Sequence, residues 1–231
     1  MKTRMIALFQ ALILALFSAT GIAAEGKRKI EIGKGMAGMI GYGTLMSRSS
    51  LEQTLGHRYE GQALPVHVRD YARAWALRRP LNDPQAGSAP GQRIAASFSR
   101  GDELVPFEGM VELNVYPEKN GRMNCILYVL AGEDLRRVDK REKAYRRIDV
   151  TERIEEYEFS KGRVYMYEGL PGHPDTAAAD AGKYVLIREY VDQVTAACDG
   201  IGKEFRAEFD RSTRPIAHPV ISFLAIKWEN K

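Results

Sequence analysis

Short apolar runs, separated by turn-forming residues, make up most of the chain beyond residue 36. The runs of strand length are 37–42, 67–77, 93–98, 107–115, 123–130, 148–157 and 163–167. The linkers at 82–91 and 117–121 contain the Asn, Asp, Gly and Pro residues of turns. Many short strands joined by such turns are typical of a β-barrel or β-sandwich core.

Helical patterns interrupt the predicted strands without alternating regularly with them. The predicted helices are 47–55, 133–145 and a C-terminal pair at 187–198 and 202–210. Irregular alternation favours an α+β fold over a doubly wound parallel sheet. No internal repeat or shift in composition marks a second domain, so we expect one domain over residues 25–231.

The first 24 residues have the pattern of a secretory signal. Lys2 and Arg4 precede an apolar stretch at 5–17, and small residues continue to Ala24. The alternative is an uncleaved membrane anchor, but the apolar stretch is shorter than the roughly 20 residues that span a bilayer, and Gln10 interrupts it. We therefore expect export to the periplasm or the medium, with no stable membrane insertion after cleavage.

Charge and cysteine content exclude several classes of protein. The chain carries 34 Lys and Arg against 30 Asp and Glu, which is far from the clustered positive charge that nucleic-acid binding needs. Two cysteines, Cys125 and Cys198, are too few for a disulfide-dense miniprotein. In an exported protein they could form one disulfide, or they could be two separate buried thiols.

No motif indicates a metal, another cofactor or a nucleophile. The four histidines are scattered without metal-ligand spacing, and we expect them to be surface or structural residues: His57, His67, His173 and His218. Neither cysteine lies in a recognisable nucleophile motif, and there is no G-x-S-x-G. The sequence therefore predicts chemistry without a cofactor.

Glu142 is the candidate acid/base residue. In the predicted helix 133–145 it follows Leu135 by seven positions and Val138 by four, so it shares their apolar face, whereas basic residues such as Arg141 take the solvent side. Apolar surroundings raise the pKa of a carboxyl group toward the range useful for moving protons. The alternative is a salt bridge with Arg141 or Arg146 that has no catalytic role.

The second candidate is the turn Tyr42-Gly43-Thr44-Leu45, between a buried strand and a short helix. Glycine at position 43 lets the backbone bend tightly and lets a ligand approach. Successive amide N–H groups facing one point form a cradle for an anion such as a carboxylate. The alternative is an ordinary strand-to-helix turn with Thr44 as a local cap.

Together these motifs resemble the gamma-glutamylcyclotransferase-like family. The resemblance rests on Tyr42-Gly-Thr-Leu45 and on the later run Val138-Asp-Lys-Arg-Glu142-Lys-Ala-Tyr145-Arg-Arg147, and it covers residues 38–168. It implies a small mixed β-barrel with peripheral helices, to which this chain adds a C-terminal helical segment. It also implies cleavage of gamma-glutamyl amides to 5-oxoproline and a free amine.

The resemblance also implies roles for individual residues. Glu142 would be the acid/base, Tyr42, Gly43, Thr44 and Leu45 would hold the substrate's α-carboxylate, and we count Tyr145 among the substrate-binding residues. Many members have Ser and Asn in the turn, and the Thr-Leu form resembles the branch that acts on gamma-glutamyl amines.

Two hypotheses of a non-enzymatic function stay open. The protein could be a non-catalytic module that binds a small ligand, or an envelope interaction protein that uses the C-terminal helices. The sequence leaves the amine portion of the substrate and the oligomeric state open.

Overall fold

The computed structural model describes residues 27–82, 94–170 and 182–230. The predicted signal sequence at 1–24 and His173 lie outside these residues. Of the described residues, about 28% are helical and 50% are in strands, which confirms the α+β class. None of the helices in the described ranges is long and apolar enough to cross a membrane.

The described residues form twelve strands and four α-helices. The strands are β1 (Arg28–Glu31), β2 (Met36–Gly41), β3 (Leu64–Pro80), β4 (Ile94–Arg100), β5 (Glu103–Phe107), β6 (Gly109–Ala131), β7 (Tyr145–Asp149), β8 (Tyr157–Lys161), β9 (Val164–Gly169), β10 (Tyr184–Ile187), β11 (Val220–Ile221) and β12 (Ile226–Asn230). The helices are α1 (Arg48–Leu55), α2 (Gly132–Arg141), α3 (Arg188–Ile201) and α4 (Lys203–Ser212). The described ranges also contain three short 3-10 helices, at Thr44–Met46, Thr151–Arg153 and Phe223–Ala225.

The main sheet is built around β6. Its strand order is β11-β10-β6-β2-β9-β7, and β3 also pairs with β6. The end strands of this order, β11 and β7, do not pair with each other in the described part of the chain, and no closed barrel is formed. The sheet mixes parallel and antiparallel pairs, since β2 is antiparallel to β6 but parallel to β9. Two smaller sheets consist of β1-β8 and β12-β4-β5.

The predicted turn at 117–121 is wrong, because these residues lie inside β6. The pairing with β3 shifts here, from Arg69 opposite Arg122 to Tyr71 opposite Pro117. The extra residues of β6 therefore form a bulge opposite Asp70, whose carboxylate accepts a hydrogen bond from the Asn120 amide at 3.2 Å. Turn-forming residues bend a continuous strand in this protein instead of ending it.

The core lies where β2 and β6 meet, and the apolar content of both strands explains their burial. Met39 and Ile40 of β2 and Leu127 and Tyr128 of β6 are almost fully buried. A smaller apolar cluster that includes Phe98 packs under the β12-β4-β5 sheet. Because β2 is central, the turn that follows it starts from a rigid support.

Three predicted helices are confirmed, and the fourth ends early. Helix α1 and the C-terminal pair α3 and α4 agree with the patterns at 47–55, 187–198 and 202–210. Helix α2 stops at Arg141, and Tyr145 begins β7. Strand β7 pairs with β9 from Tyr145 onward, so sheet pairing prevails over the local helical pattern. For the same reason the predicted strand at 148–157 is divided between β7, a 3-10 helix and β8.

The two cysteines are separate thiols. Cys125 on β6 and Cys198 on α3 are both buried and free, so the alternative of a disulfide does not apply. Burial raises the pKa of each thiol to about 12. At neutral pH both are therefore protonated apolar groups of the core rather than nucleophiles.

Candidate active site

One cavity brings together all the residues that the sequence predicts for the site. Its volume is about 40 Å³, and it is partly open to solvent. The predicted residues in its wall are Tyr42, Gly43, Thr44, Leu45, Glu142 and Tyr145. The other residues in the wall are Ile40, Gly41, Leu113, Tyr167 and Tyr190. The turn and the acidic residue are thus neighbours in space, while their roles stay predictions.

The turn presents backbone donors to this cavity. Strand β2 ends at Gly41, and the 3-10 helix Thr44–Met46 follows. The first N–H groups of a helix have no partner within it. Here the amides of Gly43, Thr44 and Leu45 donate to no acceptor within the described residues, whereas the Met46 amide donates to the Gly43 carbonyl at 2.9 Å. Three free donors therefore lie in the cavity wall.

Two glycines make the turn possible, for different reasons. A Cβ at Gly41 would lie 2.4 Å from the Leu45 carbonyl oxygen, so only glycine permits this close approach. A Cβ at Gly43 would make ordinary contacts, at 3.5 Å from Leu113 and 3.7 Å from the Tyr190 hydroxyl. Close packing against the turn thus requires glycine at position 41, and Gly43 keeps space open in the cavity.

Glu142 faces the cavity although it lies just beyond the end of α2. Its backbone N–H still donates to the Val138 carbonyl at 2.9 Å, so the chain follows the helical path for one more residue. The side chain therefore keeps the face of Val138, as the spacing predicted. Only 14% of the Glu142 side chain is exposed.

The surroundings of Glu142 hold its pKa close to neutrality. Burial raises this pKa from its ordinary 4.5 to about 7, the Arg141 guanidinium opposes the increase, and the Glu112 carboxylate adds to it. The Arg141 Nε lies 3.2 Å from the Glu142 Oε1, so the predicted alternative of an ion pair also forms. Arg146 instead pairs with Glu168 at 2.6 Å. The Arg141–Glu142 ion pair is thus too weak to cancel the increase in the Glu142 pKa that burial causes.

Arg141 connects the acidic residue to the turn and is exposed, as the helical pattern predicted. Its Nη2 donates to the Thr44 hydroxyl at 2.8 Å, and its Nη1 donates to the Thr54 hydroxyl of α1 at 2.6 Å. The same guanidinium pairs with Glu142. One side chain therefore contacts both halves of the predicted site.

The tyrosines in the wall are neutral at physiological pH. Tyr42 donates to a backbone carbonyl of β9 at 2.7 Å, and Tyr145 donates to a backbone carbonyl of β6 at 2.8 Å. Burial raises the pKa of all four hydroxyls: Tyr42, Tyr145, Tyr167 and Tyr190. Among the described residues that line the cavity, Glu142 is therefore the side chain that titrates near neutral pH.

Sequence reasoning missed Tyr190, which reaches the cavity from α3. Its hydroxyl accepts a hydrogen bond from the Leu113 amide at 3.1 Å, and its ring packs edge-on against Trp75 with centroids 5.8 Å apart. Its place on the apolar stripe of a helix gave no sign of this role. Because α3 lies outside the part of the chain covered by the motifs, no motif could have identified it.

A buried arginine supports the turn from behind. Arg73 on β3 is fully buried, and its guanidinium donates to the carbonyls of Tyr42 and Asn124 at 3.2 and 3.0 Å and to the Thr213 hydroxyl at 2.8 Å. It also stacks on the Phe209 ring at 3.9 Å. These contacts fix the carbonyl at the start of the turn to β6 and to the end of α4.

Away from the cavity, three side chains could converge on a metal ion. Ligand atoms of His67, Glu155 and Glu156 lie within 4.8 Å of one another. Each already has a protein partner, because His67 bonds to Glu156 at 2.5 Å and Glu155 pairs with Arg122 at 2.7 Å. His67 is thus a structural residue, as expected. His57 at the surface likewise pairs with a carboxylate at 2.8 Å.

Comparisons with known proteins give distant likenesses. No family model and no curated protein matches the chain. Solved structures similar to it include YkqA from Bacillus subtilis (14% identity, TM-score 0.43, 77% of this chain) and the uncharacterized protein loc79017 from Homo sapiens (10%, 0.41, 77% of this chain and 88% of that one). The chain spans only 54% of YkqA and 62% of a similar Arabidopsis thaliana protein. A structure described as gamma-glutamyl cyclotransferase is similar at 10% identity and a TM-score of 0.40, over 76% of this chain and 86% of that one. The similar structures therefore include a member of the family that the motifs resemble.

Proposed function

We propose that the protein is a gamma-glutamylcyclotransferase-type enzyme that converts a gamma-glutamyl amide or amine to 5-oxoproline and a free amine. The observation that carries the proposal is a carboxyl group with a pKa near 7, in a cavity whose wall also contains backbone amides without an acceptor in the described residues. The residues of that cavity need no metal or other cofactor for this reaction.

The reaction requires a group that takes and returns a proton at neutral pH. The neutral form of the substrate's α-amine attacks the γ-carbonyl carbon, and Glu142 takes one of its two protons as the new C–N bond forms. The amide C–N bond breaks as the departing nitrogen accepts a proton from Glu142. The pKa of about 7 suits both steps, because base and acid forms are both populated.

The turn would hold the substrate in the folded shape that ring closure needs. The free amides of Gly43, Thr44 and Leu45 are suited to an α-carboxylate. Because the attack is intramolecular, fixing the two ends of the glutamyl group supplies much of the rate, with effective molarities of order 10⁵ M or more. The tyrosine hydroxyls, held by backbone partners, give the cavity a defined shape.

The test is direct conversion. Purified protein is incubated with gamma-glutamyl dipeptides and gamma-glutamyl amines, and 5-oxoproline is measured by chromatography. We expect release of 5-oxoproline in equal amount to the free amine. Binding of these compounds without any release would favour the non-catalytic module, for which the Arg141–Glu142 ion pair is the supporting observation.

We also propose that this activity is exported, on the leader pattern of residues 1–24. The mass of the protein recovered from the periplasm or medium of an expressing bacterium tests the proposal. A mass that corresponds to loss of the leader is the expected result, and full-length protein retained in the cytoplasm would contradict it.

A further inference from the structure

A long groove leads away from the candidate active site between α1 and α3. Thr44 lines both the cavity of Glu142 and a second cavity, and Ser47, Ala196 and Ala197 line both this second cavity and a third. The second and third have volumes of about 510 and 390 Å³, compared with about 40 Å³ for the cavity of Glu142. We call the second and third cavities together the α1–α3 trough. It has room for a group much larger than the glutamyl moiety.

The near part of the trough carries neutral hydrogen-bonding groups. Gln53 projects from α1 and Gln193 from α3, and both side chains are exposed and form no hydrogen bond within the described residues. A carboxamide both donates and accepts, which is also the requirement of a peptide group. Two such side chains on opposite walls match an extended peptide better than an alkyl chain.

The charge along the trough disfavours a cationic occupant. No acidic side chain lines it in the described parts of the chain, and Arg48 lies in its far part. Arg141 adds positive charge beside Thr44, where the trough joins the active-site cavity. A diamine or polyamine would therefore be repelled, whereas a peptide with a free carboxylate would be attracted.

We propose that the α1–α3 trough is the subsite for the leaving group, and that the preferred substrates are gamma-glutamyl peptides whose leaving part is a chain of several amino-acid residues. This inference rests on the proposed function and specifies its substrate class. It places the selective contacts on Gln53 and Gln193, outside the segments that carry the family motifs.

The test compares three substrates that share the glutamyl group. These are gamma-glutamyl-alanine, gamma-glutamyl-trialanine and a gamma-glutamyl diamine, and kcat/KM is measured for each. We expect a value at least tenfold higher for the trialanine compound than for the alanine compound, and the lowest value for the diamine. Equal values for all three, or the highest for the diamine, would overturn the trough proposal and leave the proposed function standing. No turnover of any of them would overturn both.

Variants of residues in the trough test whether the preference for the longer leaving group arises there. Gln53→Ala and Gln193→Ala should each lower the ratio of the trialanine to the alanine value about fivefold, which corresponds to one lost hydrogen bond. Ala196→Trp should lower it further, because the indole fills the trough. Gln62→Ala and Lys203→Trp are the controls, since both positions are exposed and lie outside the trough. An unchanged ratio in all three trough variants would show that the leaving group binds elsewhere.

Discussion

Two regions of the molecule hold carboxylates beside cations, and their pKa values move in opposite directions. In the cavity, burial prevails and raises the pKa of Glu142 to about 7. In the cluster around His67, burial alone would raise the pKa of Glu156 and Glu208, but hydrogen bonds from His67 lower both. The His67 pKa rises in turn, mainly through Glu156.

The difference lies in how completely each carboxylate is satisfied. Glu156 accepts from both the ring and the backbone N–H of His67, at 2.5 and 2.9 Å, and Glu208 accepts from His67 and Arg122. Within the described residues, Glu142 has one ion-pair partner, Arg141, and its carboxylate accepts no hydrogen bond. A satisfied carboxylate stabilises the fold, whereas an under-satisfied one keeps a proton available for transfer.

The largest expected effect is on catalysis. Glu142→Gln keeps the shape of the side chain but removes its titrating proton, so we expect kcat for 5-oxoproline formation to fall about 1000-fold or more. Glu156→Gln makes the same chemical change in the other region and should leave kcat within about twofold. If Glu142→Gln retained a tenth of the wild-type rate, the acid/base role would be wrong.

The second effect is on stability and follows from the raised pKa of Glu142. Because folding disfavours its ionised form, stability is fully present below pH 4.5 and is lost as pH rises through about 7. Glu142→Gln removes this loss, so from pH 4.5 to pH 8 the variant should gain roughly 3 kcal/mol relative to wild type. Urea unfolding at both pH values measures the difference, and parallel curves for the two proteins would mean that burial does not perturb this carboxyl group.

A smaller effect is expected in the cluster, where the variant should lose stability instead of gaining it. The contribution of His67⁺ is present below its unfolded pKa of 6.5 and is lost as pH rises through its raised folded pKa. The contributions of Glu156 and Glu208 are present above 4.5 and are lost as pH falls. His67→Gln should therefore lower the free energy of unfolding by about 1–2 kcal/mol at pH 5.5 and by less at pH 8.5. An equal loss at both pH values would indicate a packing effect instead of a charged pair.

The two regions also differ in how far the sequence could predict them. Glu142 and the turn after β2 are local patterns, a helical stripe and a strand followed by Gly-Thr, and both lie in one cavity. The cluster joins His67 on β3 to Glu208 on α4, and no spacing relates residues so far apart in the chain. Tyr190 could not be predicted either, because it lies far along the chain from the motifs whose cavity it lines.

The fold could be predicted as far as its local patterns reach. Strand content, helices α1, α3 and α4 and the α+β class follow from periodicity and turn residues. The bulge at 117–121 and the early end of α2 depend on pairing with β3 and β9, which only the folded sheet supplies. Sheet topology is likewise a non-local property, and the barrel expected from the resemblance is not found as a closed sheet in the described part of the chain.

The smallest expected effect concerns the cation shared by the turn and the acid. Arg141 lowers the pKa of Glu142 against the effect of burial, so Arg141→Gln should move the rising limb of the pH profile of kcat/KM to higher pH. At pH 7 this leaves less of the base form, and the rate should fall a few-fold. Arg122→Gln removes a comparable cation from the cluster and should leave the profile in place. A loss of rate in Arg141→Gln with an unshifted profile would mean that Arg141 acts on Thr44 alone, and that burial by itself sets the acidity of Glu142.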